Sequence, residues 1–211
     1  TKAVVSGLLF FQFFSVSASD LNSDIQEVIK GKNAQVGVAV LYKDDAVSVN
    51  NDDQYPLMSV FKFHIALAVL KKMEQEGIPL TAVVMLGPSD IDTKTWSPMY
   101  KKYKSKKITL SYADLINYMV PQSDNNACNW LINFVGGIQN VNGFIKKLGI
   151  DQIQLIETEK SMEHDIRKSY NNWSRPLSVT QLLRKIYTEK VLSDEHFAFL
   201  EKAMLASASG K

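Results

Sequence analysis

The chain has 211 residues, 45% apolar and 22% charged, with 24 Lys+Arg against 22 Asp+Glu, the composition of a globular chain of one or two domains. A net charge of +2 lacks the clustered basic excess that a nucleic-acid binder needs, and no apolar run reaches the roughly 20 residues of a membrane-spanning helix. One cysteine, Cys128, excludes an intramolecular disulfide and a Cys-rich metal site, and three widely spaced histidines argue against a histidine one.

From the N-terminus, Lys2 precedes an uncharged apolar stretch, Ala3 to Phe14, which closes on Val16-Ser17-Ala18. A short apolar run between a basic residue and small residues is the pattern of a secretory signal peptide. Residues 1–18 are therefore expected to be removed, leaving 19–211 as one domain; the plainer alternative is a buried N-terminal strand or helix. Ser23-Asp24 caps a short amphipathic helix with Ile25, Val28 and Ile29 on one face and Gly31 as its stop. Val36, Val38, Val40 and Tyr42 alternate with Gly37, Ala39 and Leu41 at the period of a strand. Lys43-Asp44-Asp45 turns this strand, 36–42, into a second, antiparallel one over 46–50. From Ser59 to Glu76 apolar residues cover nearly every side, which predicts a buried central helix, ended by Gly77 and Pro79.

Ser111 with Asp114 caps the next helix through Val120, Pro121 breaks it, and another is predicted over 126–134, ahead of Gly136-Gly137. Further helical patterns cover 141–148, 178–187 and 194–205, the second opened by a capping box of Ser178 and Gln181. Between Gly149 and Pro176 lies a long polar connection with little periodicity, and such loops are usually functional. One hairpin, many helices and one long loop predict an α+β fold. The chain starts at Thr1 and stops just after a helical pattern, so both ends read as cuts through a longer protein.

Three short motifs carry chemistry. In Ser59-Val60-Phe61-Lys62 the serine and lysine are three apart at the start of the buried helix, so the amine reaches the hydroxyl. The first amides of a helix lack intrahelical partners, so the Ser59 N–H can serve a developing oxyanion. A lysine against an apolar helix loses hydration, which favours a neutral amine able to act as base. The same four residues also read as an N-capping serine followed by a snorkelling lysine. Ser123-Asp124-Asn125 falls between two helices; in an extended turn Ser123 and Asn125 face one side together while Asp124 turns inward. By itself this is an ordinary helix cap, and Ser48-Val49-Asn50 and Ser169-Tyr170-Asn171 match it too. Glu159-Lys160-Ser161-Met162 lies in the long loop, where a carboxylate held over the nucleophile could activate water to break an ester. Glu157, two residues earlier, competes for that role, and either could be a plain solvated glutamate.

Together, Ser-x-x-Lys on a buried helix, Ser-Asp-Asn and then Glu-x-x-Met on a long loop resemble the motif set of the class A β-lactamases. Tyr55-Pro56-Leu57-Met58-Ser59-Val60-Phe61-Lys62-Phe63, Thr95-Trp96-Ser97-Pro98-Met99 and Tyr170-Asn171-Asn172-Trp173 are similar to the divergent, extended-spectrum branch of that family. The resemblance runs from about Leu21 to Lys211. It implies an antiparallel sheet packed against a helical domain, and hydrolysis of penicillins or cephalosporins by an exported, periplasmic or secreted enzyme that confers resistance. It also implies a monomer acting on a small-molecule substrate, with no cofactor, metal or nucleic acid and no stable membrane association. Ser59 resembles the acylated nucleophile, Lys62 its proton acceptor and Ser123 the proton relay to the ring nitrogen. Asn125 would bind the substrate's side-chain amide, Glu159 would position the hydrolytic water, and Trp96 would wall the cleft.

Three departures stand out. Glu163 occupies a position where most members have an asparagine that helps hold the water. The usual Arg–Asp clasp of the loop is missing, with Glu157 and Asn172 at the matching positions, so a different loop path is expected. No Lys-Thr-Gly follows Ser-Asp-Asn; lacking the C-terminal strands of the family, residues 19–211 by themselves are expected to fold poorly and hydrolyse nothing. A penicillin-binding DD-peptidase, and a non-hydrolytic β-lactam sensor or inactive remnant, share the scaffold and remain the alternatives.

Overall fold

The computed structural model of the protein describes residues 18–105 and 107–207. The expected signal peptide, Ala18 apart, lies outside the described residues. Helix α1 (Ala18–Ile29) begins five residues before the predicted Ser23 cap. Leu21, Asn22, Ile25 and Ile29 form its half-buried face, and Val28, expected on that face, points to solvent. Strands β1 (Val38–Tyr42) and β2 (Asp45–Val49) pair antiparallel from Val38–Val49 to Tyr42–Asp45. They turn through Lys43 at a positive φ of 51°, as a two-residue hairpin loop requires. The Asn22 side chain donates to the Ser48 carbonyl and seats α1 against β2.

Strand β3 (Tyr55–Pro56) leads into a 3₁₀ turn over Met58–Val60 and then α2 (Phe61–Glu76). Strand β4 (Val83–Leu86), α3 (Pro98–Tyr103) and β5 (Ile108–Ser111) follow. Next come α4 (Tyr112–Gln122), α5 (Asn125–Phe134) and α6 (Ile138–Lys147). The long connection contains β6 (Ile153–Gln154), α7 (Glu159–His164), a second 3₁₀ turn and β7 (Trp173–Ser174). Helices α8 (Pro176–Thr188) and α9 (Asp194–Leu205) close the order.

Among the described residues all strand pairs are antiparallel and fall into three small sheets, β1–β2, β4–β5 and β3–β7–β6. The hairpin is flanked by α1 and α8, giving the α+β architecture expected. The β4–β5 pair is not predicted from the sequence, because Val83–Leu86 and Ile108–Ser111 are only four residues each and flanking turns break their alternation. The long connection also departs from expectation: its short elements are stabilised by contacts with each other and with β3 rather than by periodicity of their own.

Two helix ends differ from the sequence reading. Pro121 does not break α4 but sits inside its last turn. It removes the N–H that would have served the Asn117 carbonyl, and the Gln122 side-chain amide donates there instead at 3.3 Å. Helix α8 starts at Pro176, a favoured first position, which puts Ser178 buried within the first turn, and no side-chain cap forms.

Helix α2 is the centre of the core. Phe61, Ile65, Leu67, Val69, Leu70 and Met73 are all fully buried, with α4, α5, α6 and α9 packed around them. His64 shares this burial, packs edge-on against Phe63, and has no hydrogen-bond partner on either ring nitrogen. Burial pushes its pKa from 6.5 down to about 4, and the nearby Val60 and Phe61 carbonyls offset this only in part. The imidazole is therefore neutral in the fold, whereas the unfolded chain takes up a proton below about pH 6.5. His64 thus contributes stability that is complete above about pH 6.5 and lost as pH falls toward 4. Between pH 7 and pH 5 this one group removes about 2 kcal/mol. Urea unfolding at both pH values should show that loss in the wild type, and in His64→Leu the difference should shrink by about the same amount.

Candidate active site

The start of α2 is held in a set shape. Met58, just before Ser59, has a positive φ of 44°, a strained conformation for a residue with a side chain. The Leu57 amide donates to the Asn172 carbonyl at 2.8 Å, and the Val60 amide to the Leu57 carbonyl at 2.9 Å. Ser59 therefore projects from a tight turn, and Lys62 follows in the first turn of the apolar helix with only 2% of its surface exposed.

The junction of α4 and α5 supplies the second wall. Ser123 ends α4 in the left-handed conformation at φ 56°, and Asp124 caps α5 by accepting from the Ala127 amide. The turn is thus not extended as predicted, but the side chains diverge as expected. Asp124 is fully buried and accepts from the Ser97 hydroxyl and the Met99 amide, both at 2.8 Å, while Ser123 faces Ser59 and Asn125 faces Lys62. The third wall is α7, where the Thr158 side chain caps the helix and Glu159 is its first residue, turned inward.

Lys62 Nζ is the meeting point. It lies 3.2 Å from Ser59 Oγ, 3.0 Å from Ser123 Oγ, 3.0 Å from Asn125 Oδ1, and in direct contact with Glu159 Oε1. Ser123 Oγ is 2.9 Å from Ser59 Oγ. The buried amine is thus not left among apolar groups, as the loss of hydration inferred from the sequence supposed, but is surrounded by four oxygens. An ammonium has three protons, so one of the four oxygens is always unserved, and protons can redistribute within the cluster without any side chain moving.

Beside Ser59 a cleft of about 280 Å³ is lined by Thr95, Trp96, Asn125, Glu159, Glu163 and Ile166, among others. Trp96 is half exposed, and its indole N–H donates to the Gln122 carbonyl. Sequence reasoning missed Thr95, whose hydroxyl accepts from Asn125 Nδ2 at 2.9 Å; its position next to Trp96 is the one signal in the sequence that points to it. It also gave no role to Cys128, buried near the cluster. Burial pushes that thiol well above 9.0, outweighing the downward pull of Lys62.

The sequence matches the beta-lactamase enzyme family over residues 20–209. A β-lactamase of Bacteroides uniformis is 39% identical over 194 residues, covering 91% of this chain and 66% of its own length. The chain belongs to the class A β-lactamase family. Solved structures agree. The extended-spectrum β-lactamase TLA-3 superposes with a TM-score of 0.88 at 38% identity, covering 92% of this chain and 71% of that one. A class A β-lactamase from Bacteroides cellulosilyticus gives 0.87 at 37%, covering 92% and 70%. The chain thus spans about two thirds of the length of the relatives it matches.

The loop that carries Glu159 is closed by a neutral side chain. Asn172 is fully buried, and its Oδ1 accepts from the Ile156 and Glu157 amides at 2.8 and 2.9 Å while its Nδ2 donates to the Glu157 carbonyl at 2.9 Å. Glu157 turns away from Lys62: its carboxylate accepts from Ser161 Oγ at 2.6 Å and Asn171 Nδ2 at 2.9 Å. Burial pushes the Glu157 carboxyl up, but the hydrogen bonds from Ser161 and Asn171 and the charge of Lys168 outweigh it and hold it below the usual range. Asn172→Ala leaves two amides and a carbonyl without partners, a local loss of about 2–4 kcal/mol. Hydrogen exchange of amides in 156–172 should accelerate about thirtyfold or more, with little change in α2. Asn172→Asp should not restore protection, since it lacks the donor and buries a charge beside Glu157.

Proposed function

We propose that the full-length gene product hydrolyses the lactam bond of penicillins and cephalosporins through a serine ester, and so confers antibiotic resistance. The observation that carries this reading is the convergence of Ser59, Ser123, Asn125 and Glu159 on Lys62 Nζ. Lys62 first passes a proton to Glu159 across their contact; Ser59 Oγ then attacks the lactam carbonyl carbon and gives its proton to the neutral Lys62 amine, 3.2 Å away. The C–N bond breaks, and the departing nitrogen takes the proton of Ser123 Oγ, which Lys62 can replace across 3.0 Å. Asn125, its amide fixed between Lys62 and Thr95, orients the acyl side chain, and Trp96 forms the facing wall. Glu159 then returns its proton to Lys62 and takes one from a water that attacks the ester, and Ser59 leaves with a proton from Lys62.

Glu159 in the cluster is what favours a hydrolase over a penicillin-binding peptidase, which lacks the deacylating glutamate, or a sensor, which acylates or binds without turnover. The protein acts as a monomer in the periplasm or outside the cell, a placement supported by the pattern of residues 2–18. Among the described residues no helix is long and apolar enough to cross a membrane.

Ser59→Ala should abolish covalent labelling by a penicillin, read by intact mass; labelling at the wild-type rate would refute the nucleophile. Glu159→Ala should still acylate but hold the adduct, slowing deacylation by about 10²–10⁴. Glu157→Ala, whose carboxylate is engaged elsewhere, should turn over at close to the wild-type rate. Accumulation of adduct in Glu157→Ala instead would reverse the two roles.

A further inference from the structure

One charged side chain on the wall of the cleft has no partner. Glu163 lies one turn after Glu159 on α7, is exposed, and makes no ion pair or side-chain hydrogen bond among the described residues. It lines the cleft beside Ser59 together with Thr95, Trp96 and Ile166. It also lines a neighbouring cleft of about 340 Å³ with Asp90, Asp92 and Lys160. The other carboxylate in the first cleft, Glu159, is neutralised by its contact with Lys62. Lys101 stacks on Trp96, its Nζ 3.8 Å from the ring centroid, and Lys160 lines only the neighbouring cleft; neither pairs with Glu163. A substrate acyl group seated between Trp96 and α7 therefore meets one unneutralised charge within the cleft, and that charge is negative.

We infer that Glu163 makes the enzyme selective for the charge of the substrate's acyl side chain, favouring an ammonium group and disfavouring a carboxylate. The inference rests on the β-lactamase reading of the same site. An exposed unit charge acting through several ångströms of largely aqueous surroundings changes a rate by roughly threefold per substrate charge at low salt, and is screened as salt rises. Substrates of opposite charge should therefore be separated by about tenfold.

Three penicillins on one scaffold test this: ampicillin with an α-ammonium, benzylpenicillin with no α-charge and carbenicillin with an α-carboxylate. The quantity is kcat/KM for each, relative to benzylpenicillin, in the full-length wild type and Glu163→Gln. For an acyl-enzyme mechanism kcat/KM ends at acylation, so an effect of Glu163 on the hydrolytic water does not enter. The ampicillin-to-carbenicillin ratio should fall about five- to tenfold in Glu163→Gln. The wild-type ratio should fall similarly in about 0.5 M salt, and that of the variant should stay flat. Equal ratios in the two proteins, or a wild-type ratio indifferent to salt, would overturn the inference while leaving Ser59 acylation intact. Absence of any Ser59 adduct with all three penicillins in the wild type would overturn the β-lactamase reading and the inference with it.

Discussion

The ammonium of Lys62 is buried at the start of the helix that forms the centre of the core, and a charge in such a place costs several kcal/mol unless it is paired and hydrogen-bonded. Its four oxygen contacts come from three separate stretches of chain: the turn before α2, the α4–α5 junction and the first turn of α7. Withdrawing the α4–α5 junction would leave three protons with two oxygens, and withdrawing α7 would remove the one negative charge in contact with the amine. The packing of α2 and the assembly of the site are thus one requirement, and the helix that anchors the core also dictates where Ser123, Asn125 and Glu159 must stand.

Two residues around this amine have left-handed backbones although neither is glycine, Met58 at φ 44° and Ser123 at φ 56°. Such conformations persist only where the surroundings hold them. At Met58 the hold is the hydrogen bond from Leu57 to Asn172 and the pairing of β3 with β7. At Ser123 it is the amide of Asp124 reaching back to the Tyr118 carbonyl and the buried Asp124 carboxylate below. The nucleophile and its neighbouring hydroxyl are therefore presented in fixed directions before any substrate arrives, the arrangement that lowers the entropic part of a barrier.

The helices were legible because their apolar periodicity and caps are local: 194–205 matches α9 at both ends, and the all-round apolar run of 59–76 identified the central helix. The site was legible because its motifs are short and their relatives familiar, and the inward turn of Asp124 followed from its position between Ser123 and Asn125. What escaped was set by distant partners. Strands of two residues such as β6 and β7 exist only because they pair with each other and with β3. The roles of Thr95 and Asn172 depend on residues 30 and about 15 positions away, and neither threonine nor asparagine carries a pattern that announces such a partner. Pro121 misled because the side chain of the next residue substitutes for the hydrogen bond that proline removes.

The closure of the long loop by Asn172 has a consequence for conditions rather than for geometry. A clasp made from an ion pair weakens as salt screens it and fails when its acid is protonated. The Asn172 side chain bonds three backbone groups and the Met162 sulfur, and these contacts contain no titrating atom and no net charge. Brine or mild acid therefore has little to act on at this point, and what sensitivity the loop has to them resides in the Glu157 carboxylate rather than in its closure.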